Sequence, residues 1–205
     1  MTFDKRKVVY QIYPKSYKDT TGNGIGDLQG IIEKIPYLAK LGVDMVWLNP
    51  FYPSPQHDNG YDISDYTAVN PLFGSMDDFE EMIQVGKEYG IEFMLDMVLN
   101  HCSTEHEWFQ KALAGDNYYQ DFFFLRDEPT DWLSKFGGSA WAPFGDTGKY
   151  YLHLYDVTQA DLNWHNPHVR EELFKVVHFW LDKGVKGFRF DVINVIGKDE
   201  ILENC

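Results

Sequence analysis

Residues 166–195 read NPHVREELFKVVHFWLDKGVKGFRFDVINV. Residues 166–184 have helical spacing and close on Gly184, and VKGFRFDVINV, residues 185–195, reads as a strand. Side chains two apart on a strand share a face, so Arg189 and Asp191 point one way and Phe188, Phe190 and Val192 the other. A charged pair inside so apolar a run needs a reason, and a helix feeding a strand is the repeating unit of an α/β fold.

The same rhythm runs back toward the start. KVVYQIYP (7–14) reads as a first strand, and GDLQGIIEKIPYLAKLG (26–42) as a helix that Pro36 is expected to kink or split. VDMVWLNP (43–50) is a second strand. SMDDFEEMIQVGKEYG (75–90) is a helix opened by Ser75 as N-cap with Asp78 three residues on, and closed by Gly90. IEFMLDMVLNH (91–101) is a third strand, which makes VKGFRFDVINV the fourth. Strands alternating with helices in this way predict a parallel sheet, about half of a (β/α)8 TIM barrel of roughly 250 residues. From Cys102 to about Trp164 the alternation breaks into aromatic, Gly-rich sequence too long for an ordinary loop. The expected plan is therefore barrel over 1–101, a small inserted domain over 102–164, and barrel resumed over 165–205, truncated after strand four.

Composition excludes several functions. A net charge of −14 over 205 residues argues against nucleic acid, whose binding rests on Lys and Arg neutralising phosphates. No run approaches the roughly 20 apolar residues of a membrane span, and MTFDKRKVVYQIY lacks signal-peptide features, so the expected compartment is the cytoplasm. Cys102 and Cys205 have no metal-type spacing, and the histidines show no HExxH pattern.

Catalytic residues of parallel α/β folds gather at the C-terminal ends of strands. Here those ends lead into NPFYPSPQHDNGYDISDY, DMVLNH and FRFDVIN, which brings Asp58, Asp96, His101, Arg189 and Asp191 toward one pocket. The plain alternative is that Arg189 pairs with Asp191 while Asp96 caps a loop. A carboxylate kept ionised by an arginine suits Asp191 as nucleophile or electrostatic stabiliser. Glycoside hydrolysis needs a second carboxyl group about 5–5.5 Å away in retaining enzymes, to be supplied by a later strand.

KDTTGNGIGD (18–27) leaves two readings open, a calcium loop and an ordered turn. Asp19, Thr21, Asn23, Ile25 and Asp27 fall at the odd positions of an EF-hand-like loop, but Thr21 replaces an acidic or amide residue and Gly30 stands where a bidentate Glu would be. Trp132, Phe136, Trp141 and Phe144 could stack on sugars, yet clustered aromatics read mainly as the core of the inserted segment.

DNGYDISDY, DMVLNH, QADLNW and GFRFDVIN, in this combination and order, resemble the α-amylase superfamily of glycoside hydrolases, over about Val8 to Lys198. Within its oligo-1,6-glucosidase and trehalose-6-phosphate hydrolase group, YQIYPKSY, SKFGGSAW and DVTQADLNW are most similar to the trehalose-6-phosphate hydrolases, with Ala160 where many oligo-1,6-glucosidases have proline. The resemblance implies a retaining α-glucosidase on a (β/α)8 barrel, acting on a small sugar or sugar phosphate. It implies Asp191 as nucleophile, Arg189 as the residue orienting it, Asp58, Tyr61 and His101 as ligands of the non-reducing glucose, and Asp96 as supporting carboxylate. Val192 resembles the choice of enzymes acting on α-1,6 or α,α-1,1 bonds. Lys135 is a phosphate candidate set against the reading of a solvated lysine.

The resemblance also implies an acid/base glutamate and a His-Asp pair beyond residue 205, and the tail DEILENC is expected to leave the pattern after about Asp199. Cys102 stands where the group usually has Thr. Without the acid the isolated chain is expected to be nearly inactive. Open sheet edges in half a barrel are expected to promote self-association. A trehalose-6-phosphate hydrolase is the leading expectation, an oligo-1,6-glucosidase the next, and a non-catalytic sugar-binding half-barrel the alternative from another class.

Overall fold

The computed structural model describes residues 6–199 and 202–204. In chain order the elements are β1 (Val9–Ile12), α1 (Pro14–Tyr17), α2 (Leu28–Leu41), β2 (Met45–Leu48), α3 (Met76–Glu88), β3 (Glu92–Val98), β4 (His101–Ser103), α4 (Glu107–Leu113) and α5 (Asn117–Gln120). They continue with β5 (Leu125–Arg126), β6 (Trp141–Pro143), β7 (Tyr150–Leu152), β8 (Gln159–Asp161), α6 (Pro167–Asp182), β9 (Gly187–Asp191) and a 3-10 turn at Ile193–Val195. Packing gathers them into two units. The first takes the chain up to Pro53, Thr67–Met97 and His178–Arg189, and the second takes Ser54–Tyr66, Val98–Val177 and the chain from Phe190 on.

The first unit is built on a parallel sheet in the order β1-β2-β3-β9, which does not close into a barrel among the described residues. Val9 pairs with Met45 and Ile12 with Leu48, and the register carries on from Met45 to Glu92 and from Leu48 to Leu95. Ile12, Val46, Leu48, Phe93 and Leu95 are buried, as apolar runs in a sheet covered by helices should be. Helix α2 buries Leu28, Ile31, Ile35 and Leu38, and α3 buries Phe79 and Met82, at the three- and four-residue spacing of one helix face. The expected split at Pro36 does not occur. Pro36 lies inside α2 on its exposed face, where a missing amide bond can be met by water while Ile35 and Leu38 hold the helix down. Helix α3 has the full reciprocal box, with Ser75 Oγ accepting from the Asp78 amide and the Asp78 carboxylate accepting from the Ser75 amide.

The second unit pairs β4 with β8 antiparallel, and β5, β7 and β6 in a three-stranded sheet. Its core joins Phe124, Ala140, Trp141, Leu152, Leu154 and Leu202, with Trp132, Tyr150, Tyr155 and Val195 packed against it. Of the aromatic residues expected to form this core, Trp141 and Phe144 are buried and Trp132 borders it. Phe136 is exposed, with its ring T-shaped to that of Tyr155 at 5.7 Å.

Two strand assignments need correction. The third strand ends at Val98, and His101 begins a separate strand, β4, bonded to β8. The fourth ends at Asp191 rather than running to Val195. Val192 turns it with φ 43°, a left-handed conformation that a β-branched side chain rarely takes, and so drops out of the alternation that was to put it opposite Asp191. No helix among the described residues is long and apolar enough to cross a membrane.

Candidate functional site

Within the first unit, the C-terminal halves of three neighbouring strands meet at Asp96. It is buried on β3, and its Oδ1 accepts from the Arg189 guanidinium of β9 at 2.9 Å while its Oδ2 accepts from Trp47 Nε1–H of β2 at 3.1 Å. The guanidinium also lies over the Trp47 ring, 5.1 Å from its centre. Tyr52 donates its hydroxyl to the Asp96 backbone carbonyl at 3.0 Å, and burial, reinforced by the Asp96 charge, holds that phenol well above its ordinary pKa. Asp96 is thus an ion-pair partner of Arg189, not the loop cap of the plainer reading.

The second unit holds Asp58, Tyr61, His101 and Asp191. Asp58 and Tyr61 sit on a turn whose backbone closes from Tyr61 N–H to the Asp58 carbonyl at 3.0 Å, through the positive-φ residues Asn59 and Gly60. Asp62, fully buried, pins this turn. Its Oδ1 accepts from Ser54 Oγ at 2.8 Å and the Asp58 amide at 3.1 Å, and its Oδ2 accepts from the His57 amide at 2.9 Å. Asp58 Oδ2 accepts from Gln159 Nε2 at 2.9 Å. Burial raises the Asp58 pKa, the Gln159 hydrogen bond opposes it, and Asp62, Asp156 and Asp191 raise it further.

His101 opens β4 directly opposite Asp161 of β8. Its Nδ1 lies 3.0 Å from Asn100 Nδ2, its ring packs 5.3 Å from that of Tyr155, and its Nε2 is buried with no hydrogen-bond partner among the described residues. Burial lowers the imidazole pKa, against the opposing charges of Asp161 and Asp191 and the Tyr61 backbone near the ring, with the Lys198 charge lowering it further. A buried polar atom without a partner is costly, and a ligand group that fills the place removes that cost. The Asp191 charge acts on Asp58, His101 and Tyr155, raising the pKa of each against or beside the effect of burial.

Several residues here had no role in the sequence reading. Gln159 and Asp161 alternate along QADLNW and so share a strand face, a period-two signal that could have singled them out. Asp62 could have been found as a buried turn carboxylate in DNGYDISDY. Nothing local marks Asn100 or Lys198. Lys135 is exposed, and with Trp132, Leu133, Leu154 and Val195 it lines a cavity of about 430 Å³ in the second unit.

The Asp19 loop is ordered by its own donors. Asp19 Oδ1 accepts from the amides of Thr21 and Gly22, both at 2.8 Å, and Oδ2 from Gly24 at 2.7 Å. The Gly24 amide foremost holds the Asp19 carboxyl below its usual range. Asn23 Oδ1 accepts from the Ile25 amide at 2.8 Å. Asp27 caps α2 through Gly30 N–H at 2.6 Å and accepts from the Thr20 amide at 2.8 Å. These oxygens are of the kind a hard cation takes, but they include only two carboxylates. Among the described residues no group of three or more His, Cys, Asp or Glu could hold a metal.

The family described as the alpha amylase catalytic domain matches residues 11–204. The chain belongs to the alpha-amylase family. The match takes in the described tail residues 202–204, so the sequence does not leave the alpha-amylase pattern after Asp199 as expected. Among curated alpha-amylase relatives, the trehalose-6-phosphate hydrolase of Bacillus subtilis (strain 168) is 54% identical over 98% of this chain and 37% of its own length. The oligo-1,6-glucosidase of Parageobacillus thermoglucosidasius is 52% identical over 95% and 36%. The crystal structure of Bacillus licheniformis trehalose-6-phosphate hydrolase superposes with a TM-score of 0.96 at 54% identity, covering 98% of this chain and 38% of that one. The chain thus spans about 37% of the length of the curated relatives it matches.

Proposed function

We propose that this chain carries the nucleophile side of a retaining α-glucosidase that hydrolyses trehalose 6-phosphate to glucose and glucose 6-phosphate. In this reading Asp191 attacks the anomeric carbon as its bond to glucose 6-phosphate breaks, the leaving oxygen taking a proton from the acid/base glutamate that the resemblance puts beyond residue 205, and water then hydrolyses the β-glucosyl-enzyme intermediate with that glutamate as base. Arg189, two residues earlier on β9, orients it, with Asp96 bonded to the guanidinium. Asp58, Tyr61 and His101 hold the hydroxyls of the non-reducing glucose, and residues 102–164 are the domain inserted into the barrel. The observation that supports this best is the buried, unpartnered Nε2 of His101 in the group that includes Asp58 and Asp191. A small polyhydroxylated ligand supplies the partner that this atom lacks. The oligo-1,6-glucosidase relatives give the second reading, with isomaltose as substrate.

Calorimetric titration of the chain with trehalose 6-phosphate and with isomaltose tests the proposal. Tighter binding of trehalose 6-phosphate, lost in Asp58→Ala, is expected. Tighter binding of isomaltose favours the second reading, and binding of neither sugar removes both. A free, buried Cys102 thiol suits a reducing cytoplasm.

Two further parts of the proposal stand or fall separately. Calcium acts as a structural ion at Asp19, Thr21, Asn23, Ile25 and Asp27, so added calcium raises Tm over chelator and Asp19→Ala abolishes the difference. An unchanged Tm leaves the loop a simple turn. Strands β1 and β9 lie at the edges of the sheet, which supports association with a second copy. Sedimentation velocity should show dimers growing with concentration, and a monomer throughout removes this part.

A further inference from the structure

Lys198 is buried and has three ammonium protons. It makes three hydrogen bonds, to Asn100 Oδ1 at 2.7 Å, Asp161 Oδ2 at 2.8 Å and the Val195 carbonyl at 2.8 Å. An ammonium can only donate and a carboxylate can only accept, so the Asn100 side chain has one permitted orientation. Its oxygen faces Lys198, and its NH2 group faces Asp161 Oδ2 at 3.2 Å and His101 Nδ1 at 3.0 Å. Asn100, His101 and Asp161 are all at most 2% exposed, which keeps bulk water off the pattern.

The consequence passes to the imidazole. A ring nitrogen that receives an N–H bond must present its lone pair, so Nδ1 is bare and the proton of the neutral ring sits on Nε2. That is the atom left without a partner. We propose that Lys198, acting through Asn100, locks His101 as the Nε2–H tautomer and thereby makes it a hydrogen-bond donor to an oxygen acceptor of the ligand, a sugar hydroxyl oxygen if the proposed function holds. Asn100 and Lys198 are positioning residues in this scheme, and His101 alone touches the ligand. The lysine lies 97 positions from the histidine whose proton it places, and it acts at a distance of two hydrogen bonds.

Asp161 closes the circuit. It neutralises Lys198 through Oδ2, accepts from the Leu154 amide through Oδ1 at 2.8 Å, and lies across from His101 in the β4–β8 pair. Its charge, with that of Asp191 and the Tyr61 backbone, would favour an imidazolium, but burial of the ring foremost and the Lys198 charge oppose that.

The experiment is nitrogen-15 NMR of the imidazoles in the native chain near neutral pH, with His101 assigned by its loss in His101→Gln. A protonated Nε2 and a bare Nδ1 are expected. The reverse assignment, or a doubly protonated ring, overturns the proposal. Asn100→Asp replaces the donor to Nδ1 by an acceptor, and a proton on Nδ1 is expected in its spectrum. In the same variant the binding of glucose, used as probe, should weaken by about tenfold, the value of one lost hydrogen bond. A folded Asn100→Asp variant with Nδ1 still bare overturns the role of Asn100. If the native chain shows the expected tautomer and binds no sugar, the tautomer lock stands and the glucosidase reading fails.

Discussion

Asp58 illustrates a conflict between folding and binding within one side chain. Burial raises its pKa, Gln159 offsets part of that, and Asp62, Asp156 and Asp191 add to it. A carboxyl whose folded pKa lies above its unfolded value is less welcome ionised in the fold than in the open chain. Its charge therefore subtracts stability at pH 7, and the penalty fades as pH falls to about 4, where both states protonate. Asp58→Asn should raise the urea midpoint at pH 7, with a gain that shrinks toward pH 4, while weakening sugar binding. A lower midpoint at pH 7 would contradict this account. Val192 shows a related compromise. Its φ of 43° directly after Asp191 ends β9 with a left-handed turn that costs a β-branched residue roughly 1–2 kcal/mol.

Among the elements, α2 and α4 each depend on one unusual residue at the first turn. Gly30 stands on α2 where a Cβ would lie 2.2 Å from the Lys18 carbonyl oxygen, so the helix is pressed directly against backbone. This explains in steric terms why no bidentate Glu occupies that place in the Asp19 loop. Gly30→Ala should destabilise the chain by roughly 1–3 kcal/mol, read from chemical denaturation, and an unchanged midpoint would mean that the contact relaxes freely. Helix α4 is capped by His106, whose Nδ1 accepts from the Trp108 amide at 3.1 Å. Burial pulls this imidazole down to about 4, against Glu107 and Asp65. The unfolded chain binds a proton near pH 6.5 and the folded chain does not, so stability is full above that value and falls as pH drops from 6.5 to about 4. The loss attributable to His106 is about 3 kcal/mol over that window, and His106→Asn, which keeps a capping acceptor, should flatten the profile by that amount. An equally steep profile in the variant would place the acid sensitivity elsewhere, with His101, shifted in the same direction, the next group to test.

At the scale of the whole molecule, the alternation of strands and helices was readable because its signals are local: apolar period, Ser75 and Asp78 at one helix start, Gly90 past its end. The positions of Asp96 and Asp191 on strands were readable for a similar reason, since polar residues in apolar runs stand out, and Asp58 was readable as a carboxylate in the loop that follows β2. What could not be read depends on pairings across the chain. The register that sets His101 against Asp161, and the reach of Lys198 to Asn100, join positions about 60 and 98 apart, and no local pattern encodes them. Val192 was misassigned because a Val in an apolar run signals strand, and the turn overrides that preference. Trp180 has a different consequence. It is fully buried in the first unit, edge-on to Phe51 at 5.4 Å and Phe79 at 4.9 Å, and shares that unit with Trp47, while Trp108, Trp132, Trp141 and Trp164 all belong to the second. Once Trp47 is replaced, Trp180 fluorescence reports on the first unit alone. In a variant that keeps only this indole, a red shift during denaturation times the opening of the sheet unit by itself, and its lag or lead against a second variant that keeps only the four indoles of the other unit shows whether the two units melt as one.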